Sequence, residues 1–237
     1  MTFAGKTVVV TGAGSGIGLA LTLQLCAGGA RVLALDRRFP AMPEGAECLA
    51  TNVCDMGELA EAARHVPDGV HGIAAMAGIE MGGRIDELDI AAWHRVFEVN
   101  VFGTVRTIQT FLPGLLRHKG SIVLCSSQLS LAAARNCPAY AASKGAINTL
   151  CRSLAVDHAA EGIRVNAVAP GAIETPMMTR AFRGQPDGVR AAIRARHAMG
   201  RFGTADEAAA AAAFLLGEGA SFITGAVLPV DGGWAAA

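Results

Sequence analysis

The chain has 237 residues, with 20 Lys and Arg against 20 Asp and Glu, so its formal net charge is zero. No global field is available to recruit nucleic acid or a membrane surface, and no uncharged apolar stretch is long enough to span a bilayer. At this length one domain over residues 1–237 is expected, and a hydrophobic content of 52% with only 5% aromatics suits a parallel sheet between closely packed helices.

Thr7 to Val10 (TVVV) is a β-branched run of the kind that forms a strand buried on both faces. Gly12, Gly14, Gly16 and Gly18 follow at once, and an apolar-periodic segment from Ile17 to Leu25 then reads as a helix. Glycines there let the backbone turn tightly and approach a pyrophosphate, while the free N–H groups and the positive end of the helix face the phosphates. The next strand, Ala30 to Leu35, ends in Asp36. A carboxylate at that tip accepts both hydroxyl protons of an adenosine ribose and repels a 2′-phosphate. Arg37 and Arg38 pull the other way, because a guanidinium can neutralise a phosphate. The aspartate would meet the phosphate directly while a flexible arginine swings to solvent, so NAD is expected over NADP.

About ten residues, with Pro40 and Pro43 among them, separate Asp36 from the third strand. A crossover helix hardly fits, since βαβ crossovers need ~10–12 residues at minimum. A loop is expected, leaving the adenine side of the groove open. Strands are expected near 6–11, 30–36, 47–52, 71–76, 120–125, 163–168 and 225–230, with helices near 16–28, 56–65, 88–117, 138–160 and 204–217. That alternation predicts a doubly wound α/β domain, a mostly seven-stranded parallel sheet with helices on both faces. Thr204 and Glu207 have the spacing of a capping box before the last helix.

Ser127 lies just past the strand Ser121 to Cys125, at the C-terminal strand end where sites gather in parallel sheets. Pro138 opens the following helix, on which Tyr140 and Lys144 stand four apart and project from one face. A free tyrosine titrates near ~10, too high for a base at neutral pH. An ammonium about 4 Å away would contribute roughly 4 kcal/mol at an effective dielectric of about 20, or about three pKa units. Desolvating the lysine and the tyrosinate erodes that gain, and the pair is still expected to bring Tyr140 toward working range.

Together these residues resemble the short-chain dehydrogenase/reductase family from Lys6 to Trp234. The likeness runs through TGxxxGxG (Thr11 to Gly18), Asn100 in FEVNVFG, Ser127, the YxxxK pair Tyr140 and Lys144, Pro170-Gly171 in VNAVAPGAIETP, and the terminal VDGGW. The resemblance implies a Rossmann fold, an NAD-linked oxidoreductase and a homo-oligomer, dimer or tetramer, paired through the helices around Trp93 to Leu116 and Tyr140 to His158. It implies Tyr140 as general acid/base, Lys144 as its tuning residue and a ribose ligand, Ser127 as the group orienting the substrate oxygen, and Asn100 in a proton relay. It implies cofactor contacts from Gly12, Ser15, Gly16, Ile17, Gly18, Asp36, Arg37, Asn52, Val53, Ala77, Gly78, Pro170, Gly171, Ile173 and Thr175, and a mobile substrate lid over 174–200, a stretch with no strong core period. Two departures stand out. Ala75-Met76 replace the usual Asn-Asn before Ala77-Gly78, removing side-chain bracing of the central strand, and Asn52 stands where an aspartate usually faces the adenine.

The six cysteines show no CxxC or ligand spacing and several fall in apolar segments, so they read as reduced core residues; the six histidines form no HxxxH or HExxH, so no metal is expected. Met1 to Lys6 leads directly into the first strand, leaving no room for a signal peptide, and the expected address is the cytoplasm. For the substrate, a small secondary alcohol or ketone is expected. Between Arg180 and Arg201 stand six arginines, Arg196 among them, against the single acid Asp187, and Arg135 lies between Ser127 and Tyr140. The segment from GRFGTADE to VDGGW also resembles 3-hydroxybutyrate-type dehydrogenases, which implies a hydroxy acid held by guanidinium forks. A polyol or sugar is the alternative, with Gln128, Asn136 and Glu80 as hydroxyl partners. A dinucleotide-binding redox sensor without turnover is the alternative of another class; the intact Ser127, Tyr140 and Lys144 speak against it.

Overall fold

The computed structural model describes residues 2–236; Met1 and Ala237, at the ends of the expected domain, lie outside the described residues. Seven strands, β1 (Thr7–Thr11), β2 (Arg31–Asp36), β3 (Ala46–Ala50), β4 (Gly72–Ala75), β5 (Ser121–Cys125), β6 (Arg164–Pro170) and β7 (Val227–Val230), form one sheet. Its order is β3-β2-β1-β4-β5-β6-β7, and every pairing is parallel. The order reverses between β1 and β4, which opens a crevice beyond their C-terminal ends, the usual ligand position in a doubly wound sheet. β1, β2 and β4 to β6 are almost wholly buried, as their unbroken apolar runs require. Pro229 lies in β7, an edge strand, where a missing N–H is tolerated.

Helices cover both faces. α1 (Gly16–Ala27) packs with the alanine-rich α8 (Ala205–Leu216) over one apolar cluster that includes Val8, Val10, Leu21 and Ala212. α2 (Met56–Arg64), α4 (Gly103–His118) and α5 (Pro138–His158) cover the other, with Val9, Leu35, Phe111, Ile122 and Ile147. The capping box of α8 forms as expected: Glu207 N donates to Thr204 Oγ1 at 3.2 Å and Thr204 N to Glu207 Oε2 at 2.8 Å. At its other end Arg164 donates to the carbonyls of Leu215, Leu216 and Gly217, satisfying acceptors that a helix terminus leaves open.

No helix joins β2 to β3, so the short proline-containing connection is a loop as expected. The helix expected near 88–117 is present and continuous but not α-helical throughout: α3 (Ile90–Phe97) passes through a π-helical turn (Glu98–Phe102) into α4. The extra residue of such a turn re-aims side chains, and Asn100 sits within it. The expected helices include none over 174–200, and there the expectation is corrected: the stretch holds α6 (Pro176–Ala181) and α7 (Asp187–Ala195). Both are short and mostly exposed, so their apolar period is weak in the sequence. Among the described residues no helix is long and apolar enough to cross a membrane.

Candidate active site

The turn from β1 into α1 is shaped by close backbone approach. Gly12 has φ +69, and a Cβ there would meet Ala77 N at 2.8 Å; a Cβ on Gly18 would meet Gly12 O at 2.1 Å. Ser15 caps α1 in extended conformation without a side-chain cap bond, leaving its hydroxyl and the first N–H groups of Gly16, Ile17 and Gly18 directed out of the helix end. At the tip of β2, Asp36 Oδ2 accepts from Gly14 N at 3.0 Å and Oδ1 from Arg38 N at 3.1 Å. Each carboxylate oxygen keeps a further lone pair for a ribose hydroxyl. A glycine cradle, an open helix N-terminus and an acceptor pair at the neighbouring strand tip fit a dinucleotide.

The Asn-Asn departure is compensated. Met76 joins the apolar core, and Thr11 Oγ1 accepts from Ala77 N at 3.2 Å, so a side chain of β1 braces the end of β4. Asn52 uses its Oδ1 locally, accepting from Cys54 N at 3.1 Å, and lines the groove together with Val53.

Ser127 leaves β5 in extended conformation and caps a short 3₁₀ turn (Gln128–Ser130), with its Oγ accepting from Leu129 N at 3.1 Å. Beneath it, Ser126 Oγ lies 2.5 Å from Asn148 Oδ1, and Asn148 Nδ2 donates to Ser130 Oγ at 2.8 Å. This buried network ties the end of β5 to α5, the helix that carries Tyr140 and Lys144. Asn100 reaches across from the π turn. Its Oδ1 accepts from Ile79 N at 2.8 Å, and its Nδ2 donates to Ile79 O and to Ser143 Oγ, both at 3.0 Å. Asn100 thus clamps the loop after β4 to α5.

Lys144 is buried and donates through Nζ to Cys125 O at 2.6 Å, while the same nitrogen lies 5.6 Å from the Tyr140 ring centroid. Burial holds its pKa below the usual lysine value. The expected lowering of Tyr140 by a facing ammonium is therefore corrected. Burial pushes the Tyr140 phenol above its ordinary value, Cys125 and the Glu80 carboxylate add to the rise, and the Ser127 hydroxyl bond pulls the other way. The reason is geometric: Lys144 spends its short contact on a carbonyl, and the desolvation of phenol and ammonium outweighs their attraction.

One cleft of about 1390 Å³ joins all these groups. Gly12, Ser15, Gly16, Ile17, Gly18, Asp36, Arg37, Asn52, Val53, Ala77 and Gly78 line its cofactor arm. Ser127, Gln128, Tyr140, Lys144, Pro170, Gly171, Ile173 and Thr175 line the centre, and Arg135, Arg180 and Arg196 the outer wall. Asn100 is the exception; it stands behind the wall, with its Oδ1 3.3 Å from where a Cβ on Gly78 would be. Of the six arginines from Arg180 to Arg201, Arg201 is paired with Glu207 at 2.6 Å and Arg190 with Glu174 at 3.5 Å. Arg196 stacks on Trp234, its Cζ 3.8 Å from a ring centroid. Of the six cysteines, expected as core residues, only Cys151 is fully buried; Cys125 and Cys137 edge the cleft.

His197 has no motif to mark it in the sequence. It is buried, with Nδ1 3.0 Å from Ile193 O and Nε2 accepting from Ala172 N at 3.2 Å. A proton on Nδ1 satisfies both partners, so the ring links α7 to the loop after β6. Trp234 Nε1 and Gln128 Oε1 are buried without a hydrogen-bond partner, a further signal that only coordinates supply.

The fold and this cleft define a dinucleotide-binding oxidoreductase. A family model described as enoyl-(acyl carrier protein) reductase matches residues 12–235. The chain is 36% identical to 2-(S)-hydroxypropyl-CoM dehydrogenase 3 of Xanthobacter autotrophicus, over 98% of this chain and 97% of that one. It is 38% identical to cis-4-hydroxycyclohexanecarboxylate dehydrogenase of Sinomonas cyclohexanicum, over 99% and 98%. A crystal structure from Beutenbergia cavernae, provisionally described as an NAD(P)-dependent gluconate 5-dehydrogenase with NADP bound at low occupancy, superposes with a TM-score of 0.90 at 35% identity, covering 100% and 99%. The chain belongs to the short-chain dehydrogenase/reductase family.

Proposed function

We propose that this protein interconverts a small secondary alcohol and its ketone using NAD(H). The observation that carries the reading is the single cleft in which the glycine turn of β1–α1 meets Ser127, Tyr140 and Lys144. Bound there, the nicotinamide supplies a hydride acceptor or donor. The chain's own groups move the proton: the Tyr140 phenolate takes it from the carbinol oxygen in oxidation and the phenol returns it in reduction. Ser127, within hydrogen-bonding reach of Tyr140, orients the substrate oxygen. Lys144 positions Tyr140 and offers its ammonium to the cofactor's ribose. Asn100 acts through structure, holding the Ile79 loop and α5 at fixed separation, and its place in a relay rests on the family resemblance.

Asp36 supports NAD over NADP, because its carboxylate already anchors Gly14 and Arg38 and cannot swing from a 2′-phosphate. The substrates in the two relatives' names, a hydroxypropyl group and a hydroxycyclohexanecarboxylate, are both secondary alcohols. A hydroxy acid is the finer reading, supported by Arg196 fixed on Trp234 at the outer wall. Pairing of copies through the helices around Trp93 to Leu116 and Tyr140 to His158 belongs to the same proposal, supported by Phe102 in the π turn and Val156 in α5, 51% and 80% exposed; a monomer in sedimentation would end it. Mixing protein, NAD and a panel of hydroxy acids, polyols and cyclic alcohols should produce NADH fluorescence. Tight NADH binding with no turnover on any of them would favour the non-catalytic sensor.

A further inference from the structure

Glu80 stands in the cleft where the catalytic reading assigns it no task. It follows Ile79, whose N–H and carbonyl are both held by Asn100, and its loop is fastened again where Gly83 N donates to Asn136 O at 2.8 Å. Between those clamps the Glu80 side chain is half-buried and lines the same cleft as Tyr140. Its one hydrogen bond within the chain is weak: Cys137 Sγ donates to Oε1 at 3.7 Å. Cys137 precedes Tyr140 by three residues at the start of α5, so the carboxyl sits over the helical turn that presents the phenol. Among the described residues no Lys, Arg or His forms a salt bridge with it. Burial raises its pKa, as expected of a carboxyl lacking a cation. On a loop clamped at both ends, beside the proton-transfer group, the Glu80 carboxyl keeps a free oxygen for which the chain supplies no donor.

We propose that Glu80 is a specificity-determining residue that accepts a hydrogen bond from a second hydroxyl neighbouring the carbon being oxidised, so that the enzyme selects vicinal diols over plain secondary alcohols. The inference rests on the alcohol-dehydrogenase reading and deepens it. The chemistry favours a hydroxyl at this spot over a carboxylate, which Glu80 would repel; an acidic group on the substrate belongs at the far wall, by Arg196. A site built to bond a substrate hydroxyl also rejects the analogue lacking it, because its own acceptor is then left without a partner in a desolvated place.

The test compares 2,3-butanediol with 2-butanol, with NAD as oxidant, in the wild type, Glu80→Gln and Glu80→Ala. The wild type should prefer the diol in kcat/KM by roughly tenfold or more, the range for a hydrogen bond to a charged group. Glu80→Ala should bring the ratio close to one, mainly through a higher KM for the diol, with NADH binding by fluorescence as the control for folding. Glu80→Gln keeps the shape and a weaker acceptor and should fall between. It should also move the rising limb of kcat/KM against pH for 2-butanol to lower pH, since a negative charge near Tyr140 is gone. Equal use of both alcohols by the wild type, or a ratio and pH limb unmoved in both variants, overturns the role of Glu80 alone. No oxidation of either alcohol beside turnover of another member of the panel above overturns the role of Glu80 alone; NADH binding with no turnover on any member of the panel overturns the dehydrogenase reading as well.

Discussion

The cofactor arm and the substrate wall of the cleft are built by different means. From β1 to the tip of β2 the surface is mostly backbone: a glycine turn, a helix N-terminus, and one carboxylate anchored by two main-chain N–H groups. The substrate wall is made of side chains from loops far apart in sequence, with Glu80 and Gly83 after β4, Gln128 to Cys137 after β5, and Gly171 to Arg196 after β6. In the proposed reading the first arm would bind the cofactor, which is common to every turnover, and the second would vary with the substrate. Tyr140, Lys144 and Ser127 stand at the joint, on a helix and strand end that belong to the scaffold. Chemistry at the joint should therefore survive changes in either arm, and changes at the joint should damage every substrate alike.

The largest effect tests that joint. Tyr140→Phe should lower turnover by ~10²-fold or more on every substrate accepted, the usual range for losing a general acid/base, with NADH binding near normal. Because burial raises the phenol's pKa, alcohol oxidation, which needs the phenolate, should gain kcat/KM as pH rises above neutral. Ketone reduction, which needs the phenol, should hold or fall over the same range. Parallel profiles in the two directions, or unchanged turnover in the variant where chemistry is rate-limiting, would remove Tyr140 from the proton path.

The same division explains what could be read from the residues. The seven strands, the loop in place of a helix before β3, the capping box of α8 and the cofactor arm follow from local rules: β-branched runs, proline positions, a four-residue cap and glycines between strand and helix. Tyr140 and Lys144 share a face by helical spacing alone. The π turn at Asn100 was not legible, since one extra residue in a helix leaves the apolar pattern nearly unchanged. Nor were the bonds of His197 to Ala172 and Ile193, because a lone histidine carries no sign of what it will meet. The direction of the phenol's pKa shift is hidden from the sequence for a related reason. Spacing placed Lys144 near Tyr140, but not the Cys125 carbonyl that engages its ammonium or the Glu80 carboxylate that opposes ionisation.

A smaller effect separates the arms. The wild type should use NAD better than NADP, and Asp36→Ala should narrow the gap by about tenfold, by removing a carboxylate that faces the 2′-position. The change should leave the order of preference among alcohols intact, since the Asp36 carboxylate accepts from Gly14 N and Arg38 N, both on the cofactor arm. A wild type that prefers NADP would mean that Arg37 or Arg38 governs this end of the groove, and a reshuffled alcohol preference would break the separation itself.

The smallest effect concerns the outer wall. Arg196 is exposed, yet stacking on Trp234 and a long bond from Nη2 to Ala133 O at 3.4 Å fix where its guanidinium stands. A charge held in water-filled space adds only modest attraction, about 1 kcal/mol or less for an exposed ion pair. Arg196→Ala should therefore raise KM for a hydroxy acid by a few-fold, with kcat little altered, as loss of uniform binding predicts. The uncharged amide of the same acid should show no such rise. Added salt should reduce the difference between acid and amide in the wild type, since exposed charges are screened. Equal KM values for acid and amide in the wild type would move the substrate's remote end away from Arg196 and leave the polyol as the better reading.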